Sequence, residues 1–226
     1  MNDIFIKYGI NLSDNEKQKF KEYADILLFY NEKFNITAIT DLKQIYIKHF
    51  IDSLQGKDIL KCGQLLDVGS GGGFPAVPLK IVNDDLSVTM LEATGKKCLF
   101  LKEVVKNLEL KNVEIINSRA EEYAFNPKFR EKFDFCSARA VARLNILCEY
   151  CLPFVKNGGK FVAYKGDSGE ELKEAENSVK TLGGKINKVE NFLLQEEKRS
   201  LVIIDKIKNT DVKYPRANGK IRKSPL

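Results

Sequence analysis

A Rossmann-like, doubly wound α/β domain beneath a helical N-terminal cap is what this 226-residue sequence predicts. Three observations carry the prediction. From Gln64 onward, short apolar runs alternate with helical stretches: "QLLDVG", "SVTMLEA", "NVEIIN", "FDFCSA", "GKFVAYKG", "KINKVENFLL" and "SLVIID". Strands separated by helices build a mainly parallel sheet with helices on both faces. Directly behind the first run, Gly69, Gly71, Gly72 and Gly73 stand within five residues, and Pro75 then suits the first turn of a helix. The region before the first run repeats its apolar residues at helical spacing instead. The organisation expected is a helical cap over residues 1–60, an α/β domain with a mixed seven-stranded sheet over 61–207 and a basic tail over 208–226, together one structural unit.

Within the cap, Ser13 and Asp14 can start a helix whose apolar positions Phe20, Tyr23, Ala24, Leu27, Leu28 and Phe34 recur three and four residues apart. A second helix is predicted from Asp41 to about Leu54, with Leu42, Ile45, Tyr46, His49 and Phe50 on one stripe. His49 is the only histidine, and its place on an apolar stripe favours a hydrogen-bonded core residue.

Composition narrows the function classes. With 43% hydrophobic residues the chain can bury a full core. No apolar run has membrane-spanning length, and the N-terminus lacks the basic start and long apolar stretch of a secretion signal, so a soluble, cytoplasmic protein is expected; a monomer is expected as well. The odd set of Cys62, Cys98, Cys136, Cys148 and Cys151 lies mostly in apolar segments, which suits buried free thiols. Cys148-x-x-Cys151 has no second ligand pair, so no metal is expected. The formal charge of +6 lies wholly in residues 206–226, where Lys206, Lys208, Lys213, Arg216, Lys220, Arg222 and Lys223 face Asp211 alone. A basic extension on a neutral body points to a polyanionic partner.

The glycine loop points to a nucleotide-like ligand. Its spacing, Asp67-x-Gly69-x-Gly71-x-Gly73, differs from the G-x-G-x-x-G of dinucleotide sites, whose glycines seat a pyrophosphate. The second strand ends in Glu92, able to accept hydrogen bonds from both hydroxyls of a ribose. A ribose without a pyrophosphate fits S-adenosylmethionine. Further strand ends supply Ala120 and Glu121, placed to meet adenine, and Arg139, placed for the cofactor carboxylate or a substrate phosphate. Lys165 ends a later strand as a phosphate contact or a plain surface lysine.

These residues resemble a known family. "LLDVGSGGGFPAVPLKI", "FNITAITDLKQIYIKHFIDSL" with its His49-x-x-Asp52-Ser53, "SARAVARLNILCEYCLPFVKNGGKFVAYKG" and the ending "YPRANGKIRKSPL" together resemble the RsmG (GidB) family over nearly the whole chain. The resemblance implies a class I methyltransferase that uses S-adenosylmethionine to methylate guanine N7 in a decoding-region loop of 16S rRNA within the 30S subunit. It also implies cofactor contacts at Gly69, Phe74, Ala120, Glu121 and Arg139. Many members carry Pro where this chain has Gly72, which is expected to loosen the loop.

The chemistry agrees with what the sequence omits. No Asn/Asp-Pro-Pro-aromatic motif for amino-group methylation is convincing, nor is a cysteine nucleophile for pyrimidine carbon methylation. Guanine N7 is an exposed lone pair that needs no base, so none is named. In the tail, Tyr214 and Pro215 are expected to anchor the segment while Arg216, Lys220, Arg222 and Lys223 face phosphate. A nicotinamide-dependent oxidoreductase and a non-catalytic RNA-binding or assembly module are the rival readings.

Overall fold

The computed structural model describes the backbone of residues 2–226 and the side chains of residues 4–226. Its seven strands are β1 (Gly63–Val68), β2 (Leu86–Glu92), β3 (Val113–Asn117), β4 (Phe133–Arg139), β5 (Val155–Lys165), β6 (Gly184–Leu194) and β7 (Glu197–Lys206). They form one sheet in the order β3-β2-β1-β4-β5-β7-β6. All pairs from β3 to β5 are parallel, whereas β7 runs antiparallel to both neighbours. The predicted mixed sheet is therefore present, with its reversal at β7. The order turns outward from β1 in one direction and from β4 in the other, so the crevice outside their carboxyl ends is where a ligand enters such a sheet.

Alternation along β1 divides the interior. Leu65 faces one core, shared with Phe20, Tyr23, Phe50 and Leu101, while Leu66 and Val68 face the other, shared with Leu147, Phe154 and Val179. On the first side, α2 (Asp14–Phe34) carries the predicted apolar stripe. Ser13 caps it reciprocally with Glu16, and Asn35 ends it in a left-handed turn at φ 50°. Phe20 and Tyr23 lie with ring centroids 5.1 Å from Phe50; burying each such ring contributes roughly 1.5–3 kcal/mol. A short α1 (Asn2–Lys7), which the sequence reading did not anticipate, adds Phe5 to this core.

The second cap helix differs in kind from the one predicted. It begins as α3 (Leu42–Gln44), widens into a π-helical segment (Ile45–Ile51) and closes as α4 (Asp52–Leu54). Single π turns recur where a helix must aim particular side chains. Here the widened segment buries Ile45, Phe50 and Ile51 on the core while Lys48, His49 and Asp52 line a cleft.

The other layers comprise α5 (Ala76–Val82) and α6 (Gly95–Asn107), then α7 (Ala120–Tyr123), α8 (Leu144–Cys151) and α9 (Gly169–Thr181). The tail is packed rather than projecting. Tyr214 and Pro215 are buried, and α10 (Asn218–Lys223) sinks Ile221 into the second core. Arg130 holds the segment by donating to the carbonyls of Thr210, Asp211 and Tyr214.

Candidate active site

The glycine loop is fixed largely by its own backbone. Gly69 N–H donates to Leu91 O, Gly73 N–H and Phe74 N–H both donate to Ser70 O, and Gly71 N–H donates to Glu92 Oε2 at 2.9 Å. The second oxygen of Glu92 accepts from Thr94 N–H at 2.8 Å. Glu92 thus clamps the ends of two adjacent strands. At Gly71, φ is +57° and an added Cβ would meet nothing nearer than 3.8 Å, so the space in front of the loop is open.

At Gly73, expected above as a cofactor contact, packing already requires a glycine. A Cβ there would strike Tyr23 Oη and Val77 at 2.7 Å, because the cap helix and α5 press on this point. Its lack of a side chain admits this packing. Gly72 is also tied down: its carbonyl accepts from Tyr23 Oη, and a Cβ would press on Phe74 and Ile36. The loosening expected at Gly72 is thereby opposed.

Two cavities open beside this loop. The smaller, about 130 Å³, is lined by Gly69, Leu91, Ala120, Glu121, Val141 and Tyr150, and also by Asn218 and Arg222 from the tail. Glu121 is 8% exposed, and its Oε1 has no hydrogen-bond partner. Arg119 Nη1 stands 3.9 Å from that oxygen, beyond hydrogen-bond reach; a buried carboxylate oxygen without a hydrogen bond is costly, so it marks a place where a donor belongs.

The larger cavity, about 530 Å³, is lined by Lys48, His49, Asp52, Arg139, Lys165, Asp167, Glu171, Glu197 and Arg199. Arg139 donates through Nη1 to Asp52 Oδ2 and Lys48 O, both at 2.9 Å, and through Nη2 to His49 Nδ1 at 3.1 Å. His49 Nε2 meets Thr37 Oγ1 at 2.8 Å. Since Nδ1 accepts from arginine, Nε2 carries the proton of a neutral ring. Burial, reinforced by the Arg139 charge, pushes the His49 pKa down to about 3. Burial raises the Asp52 pKa, opposed by Arg139. Phe74, expected above as a cofactor contact, offers its ring as a platform: His49 stacks on it at 4.4 Å and the Arg139 guanidinium lies 4.9 Å from its centroid.

Two of the cations expected to reach phosphate are already paired. Lys165 is bound to Glu171 at 2.7 Å and to Ala142 O, with its side chain 11% exposed, so it is neither a plain surface lysine nor free. Arg216 wraps the buried Glu149 with Nε and Nη2. An ion inside the body needs a partner, and Glu149 takes this one. Lys220, Arg222 and Lys223 remain exposed.

One buried carboxylate next to the glycine loop received no role in the sequence reading. Asp67 is fully buried at the end of β1, where Oδ1 accepts from Ser137 Oγ at 2.7 Å and Oδ2 is unpartnered. Burial pushes its pKa up to about 7. The signal available was a charged residue inside the apolar run "LLDVG", which demands a reason.

Comparison with known proteins decides the family. A family model described as rRNA small subunit methyltransferase G matches residues 16–202. The chain belongs to this family. An rRNA small subunit methyltransferase G of Acetivibrio thermocellus is 46% identical over 223 residues, covering 97% of this chain and 92% of that protein. One of Lactobacillus acidophilus is 44% identical, covering 97% and 95%. Among solved structures, a SAM-dependent methyltransferase from Aquifex aeolicus superposes with a TM-score of 0.56 at 20% identity, covering 75% of this chain and 96% of that one. M. jannaschii TYW2 in complex with AdoMet gives 0.55 at 13% identity, covering 69% and 77%. Those two likenesses show the class I methyltransferase fold. As a member of the rRNA small subunit methyltransferase G family, the chain is a methyltransferase whose substrate is rRNA. Among the described residues, no helix is long and apolar enough to cross a membrane.

Proposed function

We propose that the protein methylates guanine N7 in a decoding-region loop of 16S rRNA, acting in the cytoplasm as a monomer on the 30S subunit. The methyl donor is S-adenosylmethionine, and the residues present fit it. Glu121 has an unsatisfied acceptor beside Gly69 and Ala120, and the space before Gly71 is open. Glu92 and Glu121 are the groups that would hold the ribose and the adenine. When bound, the cofactor supplies a methyl group activated on a positively charged sulfur.

The choice of N7 rests on one observation: every proton acceptor lining the larger cavity is engaged. Asp52 is held by Arg139, Asp167 by Lys198, Glu171 by Lys165, and Glu197 by Lys48 and Arg199. His49 Nδ1 is occupied by Arg139. A cavity without a free base suits an acceptor with no proton to lose, and guanine N7 is such a lone pair on the base edge. The work of the site is then to orient, which supplies up to ~7–11 kcal/mol without general-base help. The cysteines agree, since none lines either cavity and burial pushes the Cys148 thiol up to about 12. The nicotinamide alternative is disfavoured because four of the loop's N–H groups are spent internally, leaving little cradle for a pyrophosphate.

The test uses 30S subunits from a strain lacking this activity, reconstituted with 7-deazaguanine at the mapped target. Methyl transfer to unmodified subunits and none to the deaza subunits is the expected result. Transfer to both moves the acceptor elsewhere on the base, and binding without transfer to either supports the non-catalytic module.

A further inference from the structure

We propose that the C-terminal helix α10 forms a wall of the cofactor pocket, with Asn218 and Arg222 contacting the adenosine end of S-adenosylmethionine. Both residues line the small cavity together with Glu121, although more than sixty residues separate them from any other lining residue. They are held there firmly. Ile221 is fully buried, and Tyr150 Oη donates to Asn218 Oδ1 at 2.6 Å while Arg222 Nε donates to the same atom at 3.2 Å. Two donors on one atom identify it as the amide oxygen, so the Asn218 amide nitrogen keeps both of its N–H donors. Upstream, the pairing of Arg216 with Glu149, the residue next to Tyr150, fixes the approach of the chain to this wall.

The chemistry of the lining identifies the ligand's end. Glu121 offers carboxylate acceptors, one of them buried and without a hydrogen bond, with Arg119 Nη1 3.9 Å from it. Asn218 and Arg222 add donors to the lining of the same small space. A ligand presenting an amino donor and ring-nitrogen acceptors together satisfies both kinds of group, and adenine does so. The remaining cations of the helix, Lys220 and Lys223, are exposed and line neither cavity, so only part of this basic segment faces outward to a polyanion.

The inference rests on reading the small cavity as the adenosine end, and the test separates the two ideas. Calorimetric titration of the full chain uses S-adenosylmethionine and 5′-methylthioadenosine, which lacks the amino-acid part, with Arg222→Ala, Asn218→Ala and Glu121→Gln variants. Melting curves check that each is folded. Arg222→Ala and Asn218→Ala are each expected to weaken both ligands at least fivefold, by the same factor for each. Unchanged affinity in Arg222→Ala and Asn218→Ala beside a loss in Glu121→Gln would overturn the wall while sparing the cavity. Unchanged affinity in all three overturns both. Arg222 is exposed, so Arg222→Ala decides the matter if Asn218→Ala melts early. A loss confined to S-adenosylmethionine would likewise overturn the assignment.

Discussion

The two cavities beside the glycine loop are opposites in their electrostatics. The small one holds a Glu121 carboxylate oxygen without a hydrogen bond, its one cation, Arg119, standing 3.9 Å away, and free donors on Asn218. In the large one, Lys48, Arg139, Lys165 and Arg199 are each matched to a carboxylate, and the histidine ring is neutral. Open valences select a ligand of fixed pattern. A closed network holds its own shape and admits a polyanion only by exchanging partners, which favours positioning over proton transfer. The difference teaches that counting charges in a cleft says little until their pairing is known.

The strongest way to break this contrast is Arg139→Met. It leaves Asp52 buried with only the more distant Arg199, 3.7 Å away, and removes the donor to His49. Denaturant unfolding is expected to show a loss of about 3–5 kcal/mol, together with loss of rRNA methylation, while methylthioadenosine affinity changes little. A variant as stable as the parent would mean that the network is ornamental to the fold.

Glu92→Ala attacks the glycine loop, whose Gly69 lines the small cavity. Losing the charge-assisted bonds is expected to cost on the order of 1.5–3 kcal/mol of S-adenosylmethionine affinity. Calorimetry returning the parental dissociation constant would reject the ribose role.

Acid sharpens the comparison through His49. The unfolded chain takes up this proton below pH 6.5, whereas the folded ring resists it down to about 3, so stability falls as pH drops through that window. The slope is at most about 1.4 kcal/mol per pH unit, or roughly 2 kcal/mol between pH 6.5 and 5. His49→Gln should flatten this limb of a melting-temperature profile; an unaltered limb would place the sensitivity elsewhere. Asp67 acts oppositely: its unfolded proton leaves near pH 3.8 but the folded one stays until about 7. Its contribution therefore declines as pH rises across that range.

The smallest effect belongs to the exposed tail cations. Lys220→Ala and Lys223→Ala should each lower the log–log salt slope of 30S binding by about 0.7–0.9 and leave melting unchanged. Arg216→Ala should do the reverse, because its partner is the buried Glu149. Equal salt slopes for all three variants would remove the distinction between docked and exposed cations.

Much of the fold was legible in the sequence because its signals are local. Glycine loop, acidic strand end and alternating apolar runs each occupy a few residues, and the sheet follows from them. The π segment at Ile45–Ile51 was not legible, since a widened turn keeps the same apolar residues on the core and leaves only a small phase shift in the pattern. The pairing of Arg216 with Glu149 joins residues 67 apart in the chain, and net charge cannot tell a paired cation from a free one. For the same reason the sequence left Lys165 open between a phosphate contact and a plain surface lysine, and only the fold brings Glu171 to it. The small cavity's tail wall was hidden too, as nothing local in "ANGKIRK" says which way Asn218 faces.

The clamp made by Glu92 gives the site a built-in reporter. One carboxylate holds the amides of Gly71 and Thr94, which belong to loops after different strands. Their hydrogen exchange is therefore governed by a single opening event, and the two deuterium clocks should run together. A ligand that recruits either oxygen would reset both at once, making occupancy readable at two backbone positions without any label on the cofactor.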